Sequence, residues 1–285
     1  MQPDYYDHTA PAMRITELPN NNKLHVPETH RNRIISANIK EPCINTNSTT
    51  IFSAKPNSGK SLCVQSFLRK KCQYRKAFTH VYVVAPSGSR KSFKNCVFQD
   101  HPEEKLFDEL NDDTLDALEA ALQEVNDEDD EDQAAAPQYT LWIFDDVQAA
   151  LKQNRQFENR LKNIFCSYRH RNLSIWVLVQ SWKAVPKQIR DCVRAVYQWR
   201  PSSLREIETF HDEVLPHLTK QQMKELFKHV YRNTHDFLFV DRQENKLARN
   251  MTPLLLDTAE DDSPQDERLA TRRKPGGRRA LVFED

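Results

Sequence analysis

Residues 49–61, TTIFSAKPNSGKS, constrain the fold of this chain more than any other stretch. A short apolar run enters a turn that closes on Gly59-Lys60-Ser61, and helix-like sequence follows. This is the layout of a phosphate-binding P-loop, where a strand, a tight loop and a helix N-terminus surround an anion. The scarcity of glycine adds weight. The chain has four glycines, and Gly276 and Gly277 lie in a polar basic tail. Of the other two, one stands directly before a Lys-Ser pair at the end of a strand.

The chemistry of such a loop assigns each position a task. Consecutive backbone N–H groups point at phosphate oxygens, and a residue without Cβ lets the backbone come close. The helix starting near Lys60 adds its N-terminal partial charge. Residues Ala54, Lys55, Pro56, Asn57, Ser58, Gly59, Lys60 and Ser61 therefore form the expected nucleotide cradle. Lys60 reaches the β/γ-phosphates of a bound nucleotide, and the Ser61 hydroxyl is a ligand for Mg2+. One position departs from GxxxxGK[ST]: Ala54 replaces the first glycine, which removes tolerance of a positive φ there.

A second strand ends in acid. Residues 139–147, YTLWIFDDV, suit a buried parallel strand that stops at Asp145 and Asp146. In a P-loop NTPase the first acid after this strand serves the Mg2+ site. The second, Asp146, is placed to orient and deprotonate the attacking water, although many ATPases carry Glu there. The plain alternative is that the pair caps the next helix. A third strand, LSIWVLVQ at 173–180, is apolar until Gln180. An amide at the C-terminal tip of a core strand points to where the γ-phosphate would lie, and can orient water or sense the phosphate. The alternative for Gln180 is a bond to a loop backbone.

Strands and helices alternate along the chain. Expected strands are 49–54, 79–85, 141–144, 173–180 and 193–199, with a late hairpin at 236–240 and 246–249. Expected helices are 60–76, 113–125, 154–171, 203–211 and 220–232. This alternation implies an α/β fold with a central, mostly parallel sheet flanked by helices. Residues 1–48 look like an arm or peripheral layer, 49–252 the P-loop ATPase domain, and 253–285 a disordered polar and basic tail. The acidic run at 126–137 looks like a solvated loop.

Composition excludes several classes. Formal net charge is zero, so any nucleic-acid contact must come from local basic clusters at 69–76, 90–94, 183–190 or the TRRKPGGRR tail. The six cysteines form no CxxC pair and no Cys/His metal spacing, as in a reduced, intracellular protein. No apolar run approaches membrane-spanning length, and the N-terminus is not a signal peptide. Asn245-Lys246 is followed by Leu-Ala, so the NKxD pattern of GTPases is not met.

The ordered set resembles a known family. A P-loop, a strand ending Asp-Asp, then YRHRN at 168–172 and a strand ending Gln-Ser are similar to the FtsK–HerA superfamily of DNA-pumping ATPases, with their RecA/FtsK-like fold. The segment VLVQSWKAVPKQIRDCV is similar to the poxvirus-type genome-packaging ATPases of large DNA viruses, virophages and Polinton-like elements. The resemblance covers about residues 48–200. It implies ATP hydrolysis, with ATP and Mg2+, that drives double-stranded DNA into a preformed capsid. It further implies a homo-oligomeric ring (hexamer or pentamer), capsid vertex proteins as partners, and residence in the virion or the host cytoplasm or nucleus. Ring ATPases place an arginine at the neighbour's γ-phosphate. Arg169 and Arg171 are the favoured candidates, with Arg190 the other. A helicase-like or AAA-type ATPase, a small-molecule kinase and a non-catalytic scaffold remain alternatives at this point.

Overall fold

The computed structural model describes residues 14–17, 39–69, 73–88, 97–98, 100–131, 138–152 and 154–257. Ten strands form one sheet: β1 (Arg14–Glu17), β2 (Thr49–Ser53), β3 (His80–Val84), β4 (Leu106–Phe107), β5 (Thr140–Asp145), β6 (Leu173–Val179), β7 (Ala195–Trp199), β8 (Phe237–Asp241), β9 (Lys246–Arg249) and β10 (Thr252–Asp257). Their order is β1-β10-β9-β8-β7-β2-β6-β5-β3-β4. From β7 to β4 every pairing is parallel, and from β7 back to β1 every pairing is antiparallel. The strand that feeds the P-loop, β2, lies in the middle of the ten-strand order, with a parallel neighbour on each side, β7 and β6. That central position puts its loop in the crevice where open α/β sheets bind ligands.

The helices whose full span is described are α1 (Lys60–Arg69), α2 (Asp112–Glu131), α3 (Arg155–Ser167), the single-turn α4 (Lys187–Arg190), α5 (Leu204–Val214) and α6 (Lys220–Val230). Their starts are written in the sequence. Asn154, Ser203 and Thr219 each cap a helix by accepting a backbone N–H, and Thr219 forms a capping box with Gln222. Alternate residues of the strands feed two cores, one on each face. Ile51, Phe144 and Val177 join α2, α3, α5 and α6, whereas Phe52, Ile143 and Trp176 join α1. On the α1 face Phe52 stacks on Tyr197 with centroids 4.5 Å apart, and Trp176 closes the cluster at 5.6 Å from Phe52.

Several expectations are corrected. The helix after the P-loop does not reach residue 76: residues 73–76 form a turn, in which Tyr74 folds back into the core, its N–H on the Phe67 carbonyl and its hydroxyl on the Ile44 carbonyl. The acidic stretch begins as helix, not loop. α2 is docked by buried Leu115, Leu118, Leu122 and Val125 and continues through Glu131. No Gly or Pro interrupts it, and each further residue adds a hydrogen bond to an existing helix. Residues 132–137 lie outside the described residues. The N-terminal segment contributes more than a peripheral layer: Ile39 and Ile44 are buried on the α1 face, and β1 adds an edge strand. β10 carries the sheet past residue 252. The basic tail and residues 90–94 fall outside the described residues.

Candidate active site

Register brings the site together. Ser53 pairs with Val179 and Asp145 with Leu178, so the P-loop, Gln180 and Asp145-Asp146 leave the sheet at the same edge. The Ala54 N–H donates to the Val179 carbonyl at 3.0 Å, continuing the ladder for one residue into the loop. Ala54 is buried and takes no positive φ. The left-handed positions of the loop are Asn57 (φ 62°) and Gly59 (φ 90°), and Asn tolerates that conformation better than other side chains do. The missing first glycine therefore costs this loop nothing in backbone freedom.

α1 begins at Lys60 with no acidic residue in its first turn, so its N-terminal partial charge faces the loop uncompensated. The Lys60 ammonium lies 3.9 Å from Asp145 Oδ1, with 12% and 16% of the two side chains exposed. The Ser61 hydroxyl donates to Asp145 Oδ2 at 3.2 Å. Burial pulls the Lys60 ammonium below its ordinary pKa despite Asp145 and Asp146 nearby. Burial likewise raises the Asp145 carboxyl, which Lys60 and Ser61 only partly offset. A desolvated ammonium and a desolvated carboxylate gain strongly from a phosphate and a cation placed between them. The oxygen donors of Ser61 and Asp145 fit a hard divalent ion such as Mg2+, which takes one or two protein oxygens and leaves its other positions to phosphate and water.

Asp146 stands outside the strand at φ 57°, which turns its carboxylate into solvent at the sheet edge. Gln180 donates its amide to Asp146 Oδ1 at 3.3 Å, and Gln148 Oε1 accepts the Gln180 N–H at 3.4 Å. An aspartate in a left-handed conformation costs free energy that an ordinary helix cap does not need.

Arg169 and Arg171 are not brought to this site. They lie in the turn Tyr168–Arg171 that enters β6, at the sheet edge opposite the P-loop. Arg169 bonds to the Tyr168 hydroxyl and Gln243, and Arg171 pairs with Glu119 at 3.0 Å. Arg190 is spent on structure: its guanidinium forks onto Glu213 at 2.6 and 2.7 Å and lies over Trp182. Trp182 Nε1 donates to the same carboxylate at 2.7 Å. The Trp and Arg of QSWKAVPKQIR thus meet on Glu213, a residue that the sequence reading missed because it sits on the distant α5.

A central parallel strand feeding a glycine-lysine-serine loop, with a glutamine-tipped strand beside it and an acid-tipped strand next in the sheet, defines a P-loop NTPase. The chain belongs to the poxvirus A32 protein family, whose model matches residues 43–240, more than half of its length. The fold is similar to that of the genome packaging NTPase B204 from Sulfolobus turreted icosahedral virus 2 in complex with AMP (TM-score 0.52, 12% identity, 72% of this chain and 98% of that chain). The DNA-packaging ATPase B204 of Sulfolobus turreted icosahedral virus matches with TM-score 0.52 and 11% identity over 72% of this chain and 98% of that one. EssC (ATPases 2 and 3) from Geobacillus thermodenitrificans matches at TM-score 0.50 and 10% identity, covering 76% of this chain and 41% of that chain. No match is found among curated protein sequences. No described helix is long and apolar enough to cross a membrane.

Proposed function

We propose that this chain is a genome-packaging ATPase, an enzyme that hydrolyses ATP to move double-stranded DNA. The observation that carries this reading is the strand register, which sets residues 54–61, Asp145, Asp146 and Gln180 along one sheet edge in a member of the A32 family. The solved relatives named for genome packaging, one of them in complex with AMP and another with ATP-gammaS, support the nucleotide and the DNA substrate. Nothing in the family favours a small-molecule kinase.

The residues divide the work. The N–H groups of residues 57–61 and the Lys60 ammonium hold the phosphate chain, and Ser61 with Asp145 would hold Mg2+. A bound Mg2+ would neutralise phosphate charge as the leaving group departs. Gln180 orients a water in line with the γ-phosphate, and Asp146 accepts its proton. Because Gln180 and Asp146 share a hydrogen bond, the water site has two walls fixed to each other. Arg169 or Arg171, at the far edge of the sheet, could serve only the nucleotide of an adjacent subunit, which suits a hexameric or pentameric ring. In that ring the moving duplex would be directed at a capsid vertex.

Displacement of a labelled third strand from a linear triplex tests the motor directly. With ATP the wild-type chain releases the third strand, and Lys60→Ala does not. Hydrolysis by the wild type without release contradicts the motor reading.

A further inference from the structure

We infer that His235 is a positioning residue that sets the direction of one phosphate-binding N–H in the P-loop; the inference rests on the NTPase reading above. His235 Nδ1 lies 3.1 Å from the Ser58 carbonyl oxygen. A carbonyl only accepts, so Nδ1 carries the proton and donates. The same imidazole faces Gly59, where a Cβ would sit 3.4 Å from Nδ1.

The Ser58 C=O and the Gly59 N–H belong to one planar trans peptide, so they point in opposite directions. Fixing the carbonyl toward His235 fixes the N–H toward the inside of the loop, where phosphate binds. This peptide needs such a brace. Gly59 has φ 90°, and glycine lets the plane rotate at little steric cost. With the plane reversed, the loop would present an oxygen to an anion.

The turn that carries His235 is built rigidly. Trp199 Nε1 donates to the His235 carbonyl at 3.2 Å. The next residue, Asp236, is buried and accepts from the Asn233 N–H at 2.7 Å, the Asn250 amide at 2.5 Å and Arg249 at 3.3 Å. β8 runs antiparallel to β7, so its N-terminal end meets the C-terminal edge of the parallel strands, where the nucleotide lies. The imidazole itself is exposed, and its contact with the loop does not fill the core. Its replacement therefore acts on the loop more than on the fold.

The test is equilibrium binding of a fluorescent ADP analogue to the full chain, with ATP turnover and nucleotide-free melting temperature measured alongside. His235→Ala weakens ADP binding by about three- to tenfold, the worth of one hydrogen bond. It raises KM for ATP similarly and leaves the melting temperature in place. His235→Asn keeps a donor near the Nδ1 position and recovers most of the affinity. Unchanged ADP binding in His235→Ala overturns the inference while leaving the NTPase reading intact. Equal losses in both variants with a lowered melting temperature also overturn it, since that pattern marks a role in folding. Failure of the wild type to bind the ADP analogue contradicts the NTPase reading itself.

Discussion

The Gln180 amide and the Asp146 carboxylate join the tips of two neighbouring strands through a hydrogen bond of 3.3 Å. Neither residue holds the P-loop, so their removal separates chemistry from binding. Asp146→Asn lowers kcat for ATP hydrolysis by about 10²–10⁴-fold, the range for a lost general base. Gln180→Ala lowers kcat less, and both leave KM near the wild-type value. Steady-state kinetics at saturating ATP check this, and a rise in KM with unchanged kcat would place the pair in binding instead.

The Arg190–Glu213 pair locks the segment that follows Gln180. Arg190 is 7% exposed and also donates to the Val185 carbonyl, so it has no solvent to fall back on. Glu213→Ala leaves a buried guanidinium unpaired and costs about 3–5 kcal/mol of stability. Urea unfolding monitored by tryptophan fluorescence measures the loss, and kcat falls with it because Trp182 loses its partner.

The same lock gives the fold an acid limit. Burial opposes ionisation of Glu213, but hydrogen bonds from Arg190 and Trp182 outweigh it and hold the carboxyl below its ordinary range. Asp236 behaves likewise: burial opposes, while Asn250, Asn233 and Arg249 prevail. A carboxyl depressed on folding stabilises fully above its unfolded pKa, about 4 for these groups, and loses that stabilisation as pH falls through the lower folded value. Melting temperature therefore drops as pH is lowered from about 5 toward 3. The drop is shallower in Glu213→Gln, which does not titrate.

Behind the P-loop strand, Phe52 is fully buried between Tyr197, Trp176 and Phe67. Phe52→Ala removes a large ring from a packed face and costs about 3–5 kcal/mol. Phe52→Leu fills more of the volume and costs less. Denaturant midpoints of the two variants give the comparison.

Much of this was legible because it is local. The P-loop, the acid-tipped strand and the glutamine-tipped strand each follow from a few consecutive residues, and burial on both faces makes the strands near-continuous apolar runs. Helix starts at Asn154, Ser203 and Thr219 announce themselves by capping chemistry. What the sequence hid depends on distance. Nothing near Arg190 signals that its charge is neutralised by Glu213, so the sequence alone leaves it among the candidates for a trans-acting arginine. His235 lies 177 residues from Ser58, and its role exists only once β8 returns antiparallel to the parallel edge. β4 is two residues long and β1 pairs with β10 across the whole chain, so neither carries a periodic signal. The extension of α2 through acidic residues was missed because charge runs read as solvated loops, whereas an already docked helix continues at little cost.

ATP hydrolysis measured with and without linear double-stranded DNA, beside Lys60→Ala, is the most direct trial of the packaging-motor reading. Turnover that rises when DNA is added and vanishes in Lys60→Ala is the expected result. Turnover that ignores DNA, or that survives in Lys60→Ala, contradicts a DNA motor driven from this P-loop.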